Sequence, residues 1–505
     1  MTKQELDRLV RIDKRVREIA EEFGLLTTDI LFEIVPPQRV LEGMSYMFPT
    51  NFSHWSFGRD YERNRTIYDY TGGGIPYEQV WNFEQPRAFL VETNPLALNA
   101  MILAHVYGHV DFFRGSRYLQ HGLSFSDIAE EARNAAKRFT KYEERYGKEA
   151  VEKVIDSAMS IMWHQNPDPF FEEPDEEEAR ERLLEMARAK LERDMGTSSE
   201  FGKPLTAKEI ALDEAFLSHI ENLTPPEPCY DLLFYIKNHI TGKSRDWVKD
   251  ILSVVRNQAR ALAPNGRTKM LDEGWATYWH VQITRQLFEE GLLTPEEHGV
   301  FNHYHSGVLR KSKLGFNWYN TGLNFYKHVK ECYDKGQFGR EYEECEDPYK
   351  RSRYDTHAMK GTEKIFQIRS GYSDRMAVDS LFSDDFIREQ ELYVYAEKTN
   401  EKTGESITVV VEDNPAKIRE LLKSLFTNYG TPLIRVEDGN YHNQGELYLR
   451  HQYSGFELDS AYRNATLEKI YHLWGRKVNI ESIHEGAFKI FSYNGKEHKI
   501  RGLKQ

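Results

Sequence analysis

Between residues 94 and 113 the apolar positions recur at steps of three and four. Leu98, Met101, Ile102, His105, His109 and Phe112 therefore share one helical face. Asn94 is placed to cap the free amides, and Pro95 suits the first helical position, where no backbone N–H is needed. The same spacing predicts a second helix over residues 268–289, with Met270, Glu273, Thr277, His280, Thr284 and Leu287 along one face. Two extended stretches, 77–83 and 87–92, flank Glu84-Gln85-Pro86 and read as a hairpin delivered into the first of these helices. Residues 1–32 read as one or two helices, and Ser126 as the cap of a long helical region.

Past residue 360 the texture changes. Short alternating segments at 391–397, 406–412, 433–437, 445–451, 478–483 and 488–492 interleave with helices over 414–426 and 459–473. The pattern predicts a mostly α N-terminal domain with a small β-hairpin over residues 1–355. An α+β domain over 360–505 follows, with the charged stretch 335–353 closing the first.

A chain of 505 residues can bury a large core, and two to three domains are expected. Its net charge of −13 leaves no electrostatic footprint for nucleic acid or an anionic membrane. The three cysteines, Cys229, Cys332 and Cys345, are widely spaced and form no C-x-x-C pair, which argues against thiolate zinc and fits a reducing compartment. The first twenty residues are amphipathic and charged, with no signal-peptide core, and no run of eighteen apolar residues occurs. A cytoplasmic protein without a membrane span is expected. The charge run at 176–194 reads as a solvated helix face.

The candidate chemistry sits on the two predicted helices. Residues four apart stand one turn above each other, the geometry by which His105 and His109 can clasp one metal ion. The zincin signature H-E-x-x-H has this spacing with a glutamate base, but here the residue after the first histidine is Val106. Glu273 on an otherwise apolar helical face is costly to bury unless it is paired or bound to a cation. His105, His109 and Glu273 thus form a three-ligand set for zinc that leaves a fourth position open. Glu273 and His280 are separated by about 10.5 Å along the helix axis. Both therefore do not reach one ion, and His280 is assigned behind the ligands or facing substrate. The reverse assignment has Glu273 as base and three histidine ligands. Without a glutamate at 106, His280 and Asp272 are the candidate catalytic groups, with Glu273 the base in the reverse case.

Other polar clusters carry weaker signals. His54, Trp55, Phe57 and Arg59 lie in an irregular aromatic segment read as a loop plugging the core. The glycine run at 71–74 is a turn without a phosphate-loop lysine, and Pro264-Asn265-Gly266 reads as a turn. His298, His303 and His305 read as part of a solvated loop before a helix that starts at 316–322.

Taken together, HWSFGR at 54–59, AHVYGHVDFF at 104–113, DEGWATYWH at 272–280 and NWYNTGLNFYKHV at 317–329 resemble the stage V sporulation protein R (SpoVR) family. KIFQIRSGYSD, RVEDGNYHNQGELYLRH and LWGRKV extend the likeness into the C-terminal region. The resemblance implies a cytoplasmic bacterial or archaeal protein tied to spore-cortex formation. It also implies a role outside sporulation, such as stress response, and an association with a serine protein kinase and a small companion protein. It supplies no active-site residues. A looser likeness, D-E-G-W-A-x-Y at 272–278, looks like the third-ligand helix of glutamate-type zincins. Two functions are therefore expected: a metal-dependent, peptidase-like hydrolase, or a non-catalytic regulator or scaffold whose C-terminal domain binds a partner such as the kinase.

Overall fold

The computed structural model describes residues 1–46, 52, 54–71, 78–123, 128–200, 207–242, 245–399 and 406–502. The Ser126 cap and residues 72–74 of the glycine run lie outside them. Helices dominate, twenty-one α-helices and ten strands among the described residues. The chain forms two compact units, residues 1–133 with 260–430, and residues 134–259 with 431–505. It is thus cut at three points rather than once near 355–360. The change of sequence texture marks where strands begin to appear, and that point is not where the packing changes hands.

The first unit is built around the histidine helix, Leu96–Gly115. Every residue from Ala97 to Phe113 is buried, so the helix has no solvated face. Its composition dictates this: Asp111 is the one formal charge over that stretch, and the rest is chiefly Ala, Leu, Ile, Val, Met and Phe. Among the described residues this is the one helix long and apolar enough to cross a membrane, but it runs through the interior of the unit. Asp111 is held by Trp275 Nε1 at 2.7 Å, the Leu26 amide at 2.7 Å and Arg369 Nε at 3.4 Å, which satisfies its burial. The cap lies one residue later than expected. Pro95 occupies the cap position, and Asn94 Nδ2 donates instead to Asn99 Oδ1 at 3.2 Å.

Packed on this helix are the glutamate helix, Lys269–Glu289, the first helix, Lys3–Glu22, and the helix Pro295–Val308. The helix Trp318–Lys335 lies against the other side of the glutamate helix. The approach of these helices is set by glycine. A Cβ on Gly108 would stand 2.6 Å from Ala276 Cα, and one on Gly274 would stand 2.5 Å from Gly322 Cα. Backbone therefore touches backbone on both sides of the glutamate helix, with Trp275 and Ile283 fully buried between. Complete burial of such apolar side chains contributes about 1.5–3 kcal/mol each. Buried Asp374 accepts from the Met270 and Leu271 amides at 2.8 and 3.0 Å, satisfying the start of the glutamate helix. Burial pushes its carboxyl up to about 8.

A small sheet carries the hairpin. Strand β1 (Leu31–Val35) runs parallel to β3 (Arg87–Val91), and β2 (Glu78–Trp81) pairs antiparallel with β3 at the edge, Glu78 opposite Leu90. The hairpin is as the alternation predicts. β1 was not expected, because it is only five residues long and its alternation is partial. β4 (Val394–Thr399) and β5 (Ser406–Glu412) form a second hairpin in the same unit.

In the second unit β6 (Ile434–Tyr441), β7 (Glu446–His451), β8 (Val478–His484), β9 (Ala487–Tyr493) and β10 (His498–Gly502) form a sheet of order β10-β9-β8-β7-β6. Only β7 and β8 are parallel in it, and the crossover between them is the helix Ser460–Trp474.

Three local expectations are corrected. Pro264-Asn265-Gly266 is not a turn, because the helix Asp246–Arg267 runs through Pro264. The proline forfeits its N–H, while its carbonyl accepts from Thr268 Oγ1 at 2.9 Å. The segment carrying His298, His303 and His305 is helix Pro295–Val308, started by a capping box of Thr294 and Glu297. The aromatic segment becomes regular at helix Trp55–Thr71, with His54 and Phe57 buried and Trp55 half exposed beneath Arg59.

Candidate metal centre

His105 and His109 project from adjacent turns of the histidine helix, and Asp272 and Glu273 from the first turns of the glutamate helix. His105 Nε2 and His109 Nε2 face each other at 3.0 Å. Glu273 Oε2 stands 3.5 Å from His109 Nε2 and 3.7 Å from His105 Nε2. This oxygen is buried and accepts no hydrogen bond, whereas Oε1 of the same carboxylate is paired with Lys269 Nζ at 2.9 Å. Three potential ligand atoms thus converge on one point. A tetrahedral ion held at 2.0–2.1 Å separates its ligands by about 3.3–3.4 Å. The observed separations of 3.0, 3.5 and 3.7 Å bracket that value, so these residues fit a zinc-sized ion.

The groups around this triangle have distinct tasks. Asp272 Oδ1 is 2.7 Å from His109 Nδ1, on the side of the ring away from Glu273. Burial alone would depress His109, but Asp272 and then Glu273 outweigh it and hold the imidazole up at about 10. Asp272 is therefore the carboxylate that orients His109. His280 Nδ1 lies 3.0 Å from His105 Nδ1, the nitrogen turned away from Glu273, and its Nε2 meets His305 Nδ1 at 2.9 Å. Burial, followed by neighbouring histidines, pushes His280 well below its usual range, and His305 falls to about 4 through burial first. The axial spacing expected to separate Glu273 from His280 is seen here, with Glu273 at one nitrogen of His105 and His280 at the other.

One group was missed. Glu78, the first residue of β2, brings Oε1 to 3.8 Å from His105 Nε2 and is grouped with both histidines as a set that could hold a metal ion. Burial raises its carboxyl above the ordinary range, and the His105 and His109 rings oppose that shift. No local motif marks Glu78. Its position follows from strand pairing, which puts the start of β2 beside the histidine helix. Val106, where the zincin glutamate would stand, is fully buried. The buried hydroxyl of Tyr319, with its acidity suppressed by burial and then by Glu273, completes this side.

A cavity of about 450 Å³, lined by both apolar and polar side chains, opens beside the cluster, with His105, His280 and Glu78 among its walls. Its size is in the usual range for small-molecule sites. His303 and His298 do not join the cluster, and His54 lies elsewhere, bonded through Nδ1 to Ser56 Oγ at 2.7 Å.

Comparison with known proteins places these elements. A protein-family model described as "SpoVR like protein" matches residues 3–431, and one described as "SpoVR-like C-terminal domain" matches residues 432–485. The junction of the two models, between residues 431 and 432, lies one residue from the boundary at which the packing passes from one unit to the other. The chain is 25% identical over 492 residues to the Uncharacterized protein YcgB of Escherichia coli (strain K12), covering 94% of this chain and 91% of that protein. No solved structure matches it. With the two models together spanning nearly all of its length, the chain belongs to the SpoVR family.

Proposed function

We propose that the cluster is a zincin-like metal centre and that the protein is a metal-dependent hydrolase of amide bonds, with a peptide or cell-wall precursor as substrate. The observation that carries this reading is Glu273 Oε2, a buried carboxylate oxygen without a hydrogen bond, aimed at two imidazole nitrogens. Leaving such a group unsatisfied costs about 1–3 kcal/mol or more, which a cation recovers. His105, His109 and Glu273 would hold the ion. A bound zinc ion polarises a carbonyl and lowers the pKa of water. Asp272 fixes the His109 tautomer by accepting its Nδ1–H, and His280 does the corresponding work at His105 Nδ1. Glu78, held by β2 and facing the cavity, is placed to take and return a proton, the task that Val106 cannot perform. This reading moves Asp272 and His280 from catalysis to positioning.

The second reading is a metal-free core in a non-catalytic regulator of sporulation or stress response, acting with a serine protein kinase. It is favoured by Lys269, which already neutralises part of the Glu273 charge, and by the missing glutamate at 106. Elemental analysis separates the two. One zinc per chain is expected in the wild type, and less than a tenth of that in His105→Ala and Glu273→Gln, with circular dichroism unchanged (roughly the loss expected when a ligand is removed). A wild type free of metal after expression with zinc supplied sinks the hydrolase.

A further inference from the structure

The connection between helices Pro295–Val308 and Trp318–Lys335 forms one wall of the cavity, and its charge is one-sided. Residues 309–317 contain Arg310, Lys311 and Lys313 and no acid. Two of these cations are already engaged. Lys311 Nζ donates to the Gln390 carbonyl at 3.2 Å, and Lys313 Nζ stands 5.6 Å from the Tyr395 ring. Arg310 lines the cavity and has no carboxylate partner among the described residues. Its backbone is fixed: Asn317 Nδ2 donates to the carbonyls of Val308 and Arg310 at 2.8 and 3.1 Å, and Asn320 Nδ2 to that of Leu309 at 2.9 Å. Phe316 of the same connection, with Met101, Ile102 and Trp318, supplies apolar lining.

We infer that the cavity binds an N-acylated amino acid or the C-terminal residue of a peptide, with its free carboxylate on Arg310 and its apolar side chain between Ile102 and Trp318. A planar guanidinium donates two N–H bonds to one carboxylate, and that of Arg310, on an exposed residue, is open to an incoming ligand. Arg310 is the one Arg or Lys among the lining residues, and the single charge of a carboxylate matches it. The volume of about 450 Å³ holds a dipeptide-sized molecule and not a folded partner. This inference rests on the metal-centre reading only for which end of the ligand faces His105; recognition by Arg310 is independent of it.

The test uses the full chain stripped of metal, so that coordination of a carboxylate by zinc cannot imitate the effect. The probes are N-benzoyl-glycyl-phenylalanine and its C-terminal amide, titrated by calorimetry. The acid is expected to bind about tenfold or more tighter than the amide, as a lost charge-assisted contact dictates. In Arg310→Gln, with circular dichroism unchanged, that ratio falls to about one, while Trp318→Ala weakens both probes alike. Equal binding of acid and amide to the wild type overturns the proposal. So does a ratio that survives Arg310→Gln, or no binding of the acid at millimolar concentration. A wild type that takes up no zinc yet keeps the acid preference defeats the hydrolase and leaves this site standing.

Discussion

Asp272 Oδ1 lies 2.7 Å from His109 Nδ1, and the neighbouring carboxylate, Glu273, meets the opposite nitrogen of the same ring at 3.5 Å. Two consecutive residues of one helix therefore address the two ends of one imidazole, the first to orient it and the second to share what it binds.

Asp272→Asn keeps the shape but offers a weaker acceptor, so His109 loses its preference for the tautomer with a free Nε2. Zinc affinity is expected to fall about 10–100-fold with the fold intact. Competition against a chromophoric chelator measures it, and an unchanged affinity would remove Asp272 from the site.

Glu78→Gln separates a base from a ligand. Zinc stoichiometry is expected to stay at that of the wild type, while turnover of a peptide amide cleaved by the wild type drops about 10²–10⁴-fold. Loss of zinc from this variant would instead make Glu78 a ligand.

Much of this side-chain cluster is legible in the sequence. The i,i+4 spacing of His105 and His109 and the lone acid on an apolar face at Glu273 are properties of single helices, and helical periodicity displays them. Glu78 and His305 were not legible. Glu78 reaches the cluster through strand pairing, and His305 through a helix whose sequence, rich in histidine and glycine, lacks a continuous apolar stripe. Residues 361–430 differ in texture from the helices they pack on and yet belong to the same compact unit.

In the second unit, burial holds His164 and His451 at about 4, and His472 likewise before neighbouring cations add to the effect. A histidine whose folded value lies below its unfolded 6.5 stabilises the protein above pH 6.5 and loses that contribution as pH falls towards 4. For His164 the slope approaches about 1.4 kcal/mol per pH unit. Urea titrations between pH 7 and 5 should show stability falling with acid, less steeply in His164→Asn by about one proton. Equal slopes in the two proteins would mean that His164 takes up its proton alike in both states.

Gly274→Ala places a methyl group 2.4 Å from the Gly322 carbonyl carbon, which no side-chain rotation relieves. A loss of about 1–3 kcal/mol or more is expected from overpacking, together with weakened zinc binding, because Glu273 is the adjacent residue. Urea midpoints and metal content check both.

In the proposed metal centre the same contacts bear on which ions would fit. With Gly108 against Ala276 on one side and Gly274 against Gly322 on the other, the glutamate helix cannot slide to enlarge the space among its ligands. Calcium asks for six to eight oxygens at about 2.3–2.6 Å, whereas zinc is content with four nitrogen or oxygen donors at about 2.0–2.2 Å. In the proposed centre, backbone contact would thus act as a bore gauge, screening cations by radius before ligand chemistry is consulted.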